Sequence, residues 1–367
     1  MVNLMKFISA ISAPSGLWPK LFNWFASWVP NYGWAIVLFT IAVKLLVSPL
    51  DFYNRYSTRK NTLIQKRLAG QVQKINQKHQ NNKEEANRQV SALYKKEGYN
   101  MIGSCVFMLV NLVVTMVVFF GFFNSLRTIS SYKMLSQYDS LQTTYNETIS
   151  NGGTIEEAES KTLETYLEFE DKNSWLWIKN IWRNDSKVNS IPSYNDLITV
   201  AKNSNEEEHK LFVETINEEQ YNAVIKSIAQ KNNAWNGYFI LAILVILTTL
   251  LSQWLTEKMN NAKGVGNNTN DQTQQSMKIM KFILPAIMLI FVLTNTASFG
   301  IYILVGNIFG IIINLLFGII VKKLTQNEEN KYISYLEREA IKNKNVKPQQ
   351  KPRMVTYKQL GDKLWIQ

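Results

Sequence analysis

The 367-residue sequence has one cysteine, Cys105, and two histidines, His79 and His209. A single thiol excludes an intramolecular disulfide framework and any multi-cysteine zinc or iron–sulfur site within the chain. Two histidines leave little room for a His-rich metal centre or a His-based catalytic machine. Charge is also missing over long stretches: residues 21–43, 98–126, 232–256 and 282–321 contain no Asp, Glu, Lys or Arg. The mean hydropathy of −0.13 hides this segregation. Water could hardly cover so much continuous apolar surface, so the pattern predicts a polytopic, all-α membrane protein.

A helix needs about 20 apolar residues to cross the hydrocarbon core. Residues 102–123 and 235–255 each supply one span. The 40 residues 282–321 are about twice that length and carry Thr294-Asn295-Thr296-Ala297-Ser298 near their middle, so they read as two spans, 282–296 and 299–321. Turn chemistry at Pro30-Asn31-Tyr32-Gly33 breaks the first run and places its span at 34–53. Five spans result. Residues 1–33 lie outside and include an interfacial amphipathic helix over 16–28, with Trp18, Trp24 and Trp28 at headgroup level. A single long tilted span over 21–43 is the simpler alternative.

Basic residues in the connections orient the bundle. Segment 54–101 has 11 Lys/Arg against 3 acids, 257–281 has 4 against 2, and the tail 322–367 has 11 against 5. Segment 124–233 reverses the balance, with 11 against 17. The N-terminus is therefore expected outside and the C-terminus in the cytoplasm. Lys6 precedes only a weak apolar stretch, which lacks the form of a cleaved secretion signal.

Residues 54–100 read as a cytosolic helical hairpin. Ile64, Leu68, Val72 and Ile75 repeat at helical spacing, as do Ala86, Val90, Leu93 and Tyr94, with the turn at His79–Asn82. Its charges solvate it and satisfy the positive-inside bias; contact with anionic headgroups or ribosomal RNA is the functional alternative. No interleaving of aromatic and basic residues points to a specific nucleic-acid sequence. The acidic outside loop, 124–233, is helical in pattern, and its Trp175, Trp177 and Trp182 are expected at the outer interface. The tail is Lys-, Gln- and Pro-rich from Lys342 and reads as disordered. A polyanionic partner is the other reading of its charge.

Lys44 stands out because topology does not explain it. It sits within Thr40-Ile-Ala-Val-Lys44-Leu-Leu-Val-Ser-Pro49, and a cation at mid-span costs about 2.5–3.5 kcal/mol on insertion scales. Asp51 is roughly 10 Å away along the helix, too far for a direct pair. Either the lysine snorkels to the inner headgroups, or it lines a wet cavity in the inner half of the bilayer. Asn111, Thr115, Thr248, Thr249, Ser252, Gln253, Asn307 and Asn314 are the polar span residues available to line it, although each alone is more often an interhelical hydrogen bond. No span holds a histidine, and Lys44 and Asp51 are the only ionisable acid or base in the spans. Protease, metalloprotease and proton-relay chemistry are poorly served, and a protein that is not an enzyme and needs no cofactor or metal is expected.

The sequence resembles the YidC/Oxa-type membrane protein insertases. The likeness runs in order through Tyr32-Gly33-Trp34-Ala-Ile, Thr40-Ile-Ala-Val-Lys44-Leu with Pro49-Leu50, and Leu93-Tyr94-Lys95-Lys96-Glu97-Gly98. It continues through Leu176-Trp177-Ile178, Leu247-Thr248-Thr249 with Ser252-Gln253, Gln275-Ser-Met277-Lys278-Ile-Met280 with Pro285, and Phe299-Gly300-Ile301-Tyr302. The resemblance implies five transmembrane helices around an inward-open hydrophilic groove. Lys44 would be the basic groove residue that receives polar, often acidic, client segments, with Asn111, Thr115, Thr249, Ser252, Gln253 and Asn307 beside it. Nascent membrane proteins and the lipid bilayer would be its partners. The ribosome, at the basic tail and hairpin, and the secretion channel are further implied partners, and the bacterial plasma membrane is the implied location. Departures from the family pattern are Lys44 where Arg is usual, no proline after Gly103-Ser-Cys105, a longer outside loop, and no proline before Phe299. Lys keeps the charge but loses the planar fork. A solute transporter or channel using the same cavity is the alternative, although no internal repeat of the kind such proteins show is present.

Overall fold

A computed structural model describes residues 13–99, 101–204, 207–214, 216–231, 234–260 and 271–342. Residues 1–12, 261–270 and 343–367 lie outside the described residues, and with them the expectations for Lys6 and for the tail beyond Lys342. Among the described residues the protein is helical, with two isolated β-bridges, Trp175–Ile178 and Asn189–Trp235, and no strand. The all-α class follows from the uncharged segments, whose backbone groups find partners in lipid only within a helix. Among the described residues, three helices are long and apolar enough to cross a membrane: Tyr32–Lys78, Leu109–Ser150 within a longer helix, and Ala297–Leu324. Ile240–Thr256 and Pro285–Thr294 are shorter apolar helices.

The chain divides into two compact units. The first contains α1 (Leu17–Ala26), the start of α2 (Tyr32–Lys78) up to Pro49, and α4 (Met101–Ser150) from Asn111. It continues through α5 (Ile155–Asn173), α6 (Tyr194–Lys202), α7 (Glu207–Glu214) and α8 (Glu218–Lys231). It closes with α9 (Ile240–Asn260) up to Leu255, α10 (Asp271–Thr294), and α11 (Ala297–Leu324) up to Ile313. Its core is aromatic. Phe39 of α2 stacks on Phe122 of α4 at 4.0 Å, and Tyr302 of α11 lies 4.9 Å from the same ring. Glycine allows one close approach, because the Trp18 indole occupies the space a side chain at Gly121 would fill. Helix α1 buries Pro19, Phe22 and Phe25 and leaves Leu17 and Trp24 exposed.

The described residues of segment 124–233 are a folded part of this unit. Capping boxes start α5 at Thr154 and Glu157 and α6 at Ser193 and Asp196, so sequence-local chemistry sets both helix starts. A buried polar frame joins the segments between helices. Asn236 is fully buried; its amide donates to the Asn180 and Asn184 carbonyls, and its Oδ1 accepts from Asn180 N. Buried polar atoms need such partners, which makes the frame specific as well as cohesive. The expectation that Trp175 and Trp182 face the outer headgroups is corrected here. Trp182 is fully buried beside Phe22 and Tyr32 and donates its indole N–H to Asn173, while Trp175 is 7% exposed. Trp175 instead fills the space over Gly33 and lies edge-on to Trp34 at 6.0 Å. Burial of Trp182 fits a donor that finds an acceptor, whereas the buried Trp175 indole N–H has no hydrogen-bond partner among the described residues.

The second unit holds the remainder of α2, α3 (Lys83–Lys96), the start of α4, the end of α11, and α12 (Gln326–Lys342). Asn82 caps α3 by accepting from Glu85 N at 3.1 Å. Leu63, Ile64, Leu68 and Ala86 are buried. Arginines of α2 cross-link the unit. Arg67 meets Glu97 at 2.8 Å and Glu328 at 3.6 Å, and Arg59 meets Glu329 at 3.2 Å and Thr325 at 3.0 Å. Charges read from the sequence as solvating the hairpin therefore include a built network.

Candidate functional site

Lys44 is half-buried on α2, one helical turn after the buried Thr40. The Thr40 hydroxyl donates to the Ile36 carbonyl at 2.6 Å, so it is held by its own helix. Opposite lies α11, where Gly306 is buried. A Cβ added there would stand 3.3 Å from Lys44 Cε and 3.8 Å from Thr40 Cγ2. The lysine stem thus runs over a glycine that leaves it room.

Asn307, the next residue of α11, points its amide at α9. Its Nδ2 donates to Thr249 Oγ1 at 2.8 Å and to Thr248 Oγ1 at 3.2 Å. The Thr248 hydroxyl donates in turn to the Leu244 carbonyl at 2.8 Å, which leaves its lone pair for the amide. Consecutive positions of α11 therefore meet a cation on α2 and a hydroxyl pair on α9. Of the residues singled out from the sequence, Asn307 and Thr249 are joined directly, and Lys44 is set against the neighbour of Asn307. Thr115 is exposed on α4 and stands outside that hydrogen-bonded set, while Asn111, Ser252 and Gln253 are half-buried. Gly306 was not among the sequence candidates, since a small residue in an apolar run carries no chemical signal.

Asn314, another residue singled out from the sequence, accepts from Arg55 Nη2 at 2.5 Å within the second unit. The sequence reading missed a cavity of about 180 Å³ lined by Arg127, Ser130, Asn184, Thr296, Phe123 and Phe299, among others. Close to it, Arg183, nearly buried, pairs with Asp196 at 2.9 Å. Burial alone would raise the Asp196 pKa, but hydrogen bonds from Ser193 and the Arg183 guanidinium outweigh it and hold the carboxyl below its ordinary value. Among the described residues no cluster of His, Cys, Asp and Glu is placed to hold a metal ion.

The family model described as 60Kd inner membrane protein matches residues 24–325, most of the chain. The chain belongs to that family, the YidC/Oxa family. Similar members include the membrane protein insertase YidC of Maridesulfovibrio salexigens, 35% identical over 104 residues, which are 28% of this chain and 18% of that protein. The Helicobacter pylori protein of the same name is 28% identical over 119 residues, 32% of this chain and 21% of its own length. That of Pelodictyon phaeoclathratiforme is 21% identical over 294 residues, 79% of this chain and 34% of that protein. This YidC/Oxa-family chain thus spans between 18% and 34% of the length of these relatives. Family membership and the three long apolar helices together make it an integral membrane protein.

Proposed function

We propose that this family member is a membrane protein insertase and chaperone without enzymatic activity or cofactor. On this reading five helices cross the bacterial plasma membrane, with the N-terminus outside and the C-terminus in the cytoplasm. They surround a hydrophilic groove open to the cytosol and to lipid, lined by Lys44, Asn111, Thr115, Thr249, Ser252, Gln253 and Asn307. A nascent membrane protein places its polar outside segment in the groove, where Lys44 attracts acidic side chains and Asn307 and the threonines exchange hydrogen bonds with it. The hydrocarbon left to cross is then thinner, which lowers the cost of moving polar groups. The client's apolar helix leaves sideways, driven by its own burial in lipid. The hairpin is the first client contact, the basic tail reaches the ribosome, and the secretion channel is a further partner.

The observation that carries this reading is the position of Lys44 over Gly306, next to the Asn307–Thr249 pair, on three apolar helices. Snorkelling explains the lysine but not the polar pair in register with it. Insertion of a single-span client with an acidic outside segment into liposomes tests it. Lys44→Arg should insert as well as the parent. Lys44→Ala should lose rate, and Lys44→Glu should lose roughly tenfold or more, about 1.4 kcal/mol in the step that admits the client. Unaffected insertion by Lys44→Glu would remove the groove charge from the mechanism.

A further inference from the structure

Among the described residues, two non-glycine residues hold positive φ: Leu176 at 52° and Phe239 at 62°. Bulky side chains disfavour this region, and such residues persist only where their surroundings over-determine them. Both positions are fixed that way. Leu176 lies inside a tight turn closed by Trp175 N to Ile178 O at 2.8 Å and Ile178 N to Trp175 O at 2.9 Å. Phe239 is held by the buried Asp185 carboxylate, which accepts from Tyr238 N at 2.9 Å and Leu241 N at 2.6 Å. Asn or Gly would suit both places better. The protein interior does not use the two side chains, since Leu176 is 65% exposed and Phe239 39% exposed.

Their surroundings indicate what covers them. Trp175 packs over Gly33 and against Trp34, which brings Leu176 to the start of α2, and Phe239 immediately precedes α9. The two segments are tied together by Lys179 N to Asn236 O at 3.3 Å and by the Asn180–Asn236 pair. Trp34, Trp235 and Tyr238 are exposed beside them, and the Lys187 ammonium stands 4.7 Å from the Trp235 ring centre. Beyond this belt both helices continue with exposed apolar side chains, among them Leu38 on α2 and Ile243 and Leu247 on α9. Exposed aromatic residues, a cation, and then continuous apolar surface match the order of headgroup and acyl layers.

We infer that Leu176 and Phe239 are lipid wedges that seat the folded outside segment on the headgroup–acyl boundary of the outer leaflet. Trp34, Trp235, Tyr238 and Lys187 lie at headgroup level around them. The lipid surface supplies apolar burial for two side chains that the fold turns outward against backbone preference. This depends on α2 and α9 crossing the bilayer and not on the role of Lys44.

The test uses the full chain in a Cys105→Ala background, reconstituted into vesicles of phosphatidylglycerol and phosphatidylcholine. Leu176→Cys, Phe239→Cys and, as an aqueous control on α5, Ile155→Cys carry an environment-sensitive fluorophore. Labels at 176 and 239 should be quenched by lipid bearing a nitroxide near the headgroup and protected from aqueous iodide, with the reverse at 155. Iodide quenching at 176 and 239 equal to that at 155 would overturn the inference. A label at Leu247→Cys keeps the outcomes distinct: if it too escapes lipid quenching, the membrane-spanning reading fails and not the wedges alone. Leu176→Asn and Phe239→Asn suit the backbone and should fold. In vesicles they should speed hydrogen exchange over 174–178 and 235–241 while the outside core stays protected. Unchanged exchange in those segments also counts against the wedges.

Discussion

At Gly306 a hydrogen atom stands where any larger side chain would meet the Lys44 stem. Alanine there requires the stem to give by a few tenths of an ångström, which a flexible lysine can do. Gly306→Ala should therefore insert clients nearly normally. Gly306→Leu should displace the ammonium and slow insertion about as much as Lys44→Ala, measured in the same liposomes. A second single-residue effect belongs to Asp196. Its folded carboxyl lies below the ordinary value of 3.8, so it stabilises the fold fully above that pH. This contribution disappears as pH falls through the lower folded value. The thermal stability of segment 124–233 should be insensitive to Asp196 protonation near neutrality and fall below about pH 4. Asp196→Asn should flatten that acid limb and lower the neutral-pH midpoint.

Helices α2, α3 and α12 show how one element organises others. Arg67 contacts Glu97 just beyond α3 and Glu328 near the start of α12, and its side chain is 14% exposed. A shared, partly buried guanidinium is worth more than an isolated surface pair, whose median value is about 0–1 kcal/mol. Arg67→Ala should loosen α3 and α12 together, seen as faster hydrogen exchange over 83–97 and 326–338, with Arg67→Lys intermediate. Within segment 124–233 the corresponding anchor is Trp182. Trp182→Ala removes a fully buried ring and the donor to Asn173, at a cost of about 3–5 kcal/mol in the stability of that region. Trp182→Phe restores much of the volume but leaves the Asn173 carbonyl without its donor, so it should fall between. The sequence did not reveal this anchor. Trp175, Trp177 and Trp182 have the density of an interfacial belt, and composition cannot separate a headgroup tryptophan from one whose N–H finds a buried acceptor.

For the whole molecule, the reading of five spans makes the sign of each connection a topology prediction. In intact cells a Cys105→Ala chain carrying Lys161→Cys should react with a membrane-impermeant thiol reagent, while Lys78→Cys should react only after permeabilisation. The opposite pattern would invert the bundle. The helical class was legible without coordinates because its cause is local. Four uncharged runs, one broken by Pro30-Asn31-Tyr32-Gly33 and one by Asn295-Thr296, require helices in lipid wherever they fold. The caps at Asn82, at Thr154 with Glu157 and at Ser193 with Asp196 are equally local, since each side chain reaches only its own first turn, but the sequence reading did not pick them out.

The sequence by itself determined the helical membrane class and the family, and it singled out Lys44 as a cation within an expected span that needs a physical account. These follow from hydropathy, residue order and the cost of charge in lipid, all properties of short segments. Tertiary structure alone decided that Lys44 crosses Gly306, that Asn307 bonds Thr249 while Thr115 stays exposed, and that Trp182 is core. Tertiary structure also turned Leu176 and Phe239 outward. Each of those outcomes depends on which groups from distant parts of the chain arrive at the same place, and short-range pattern carries no information about that.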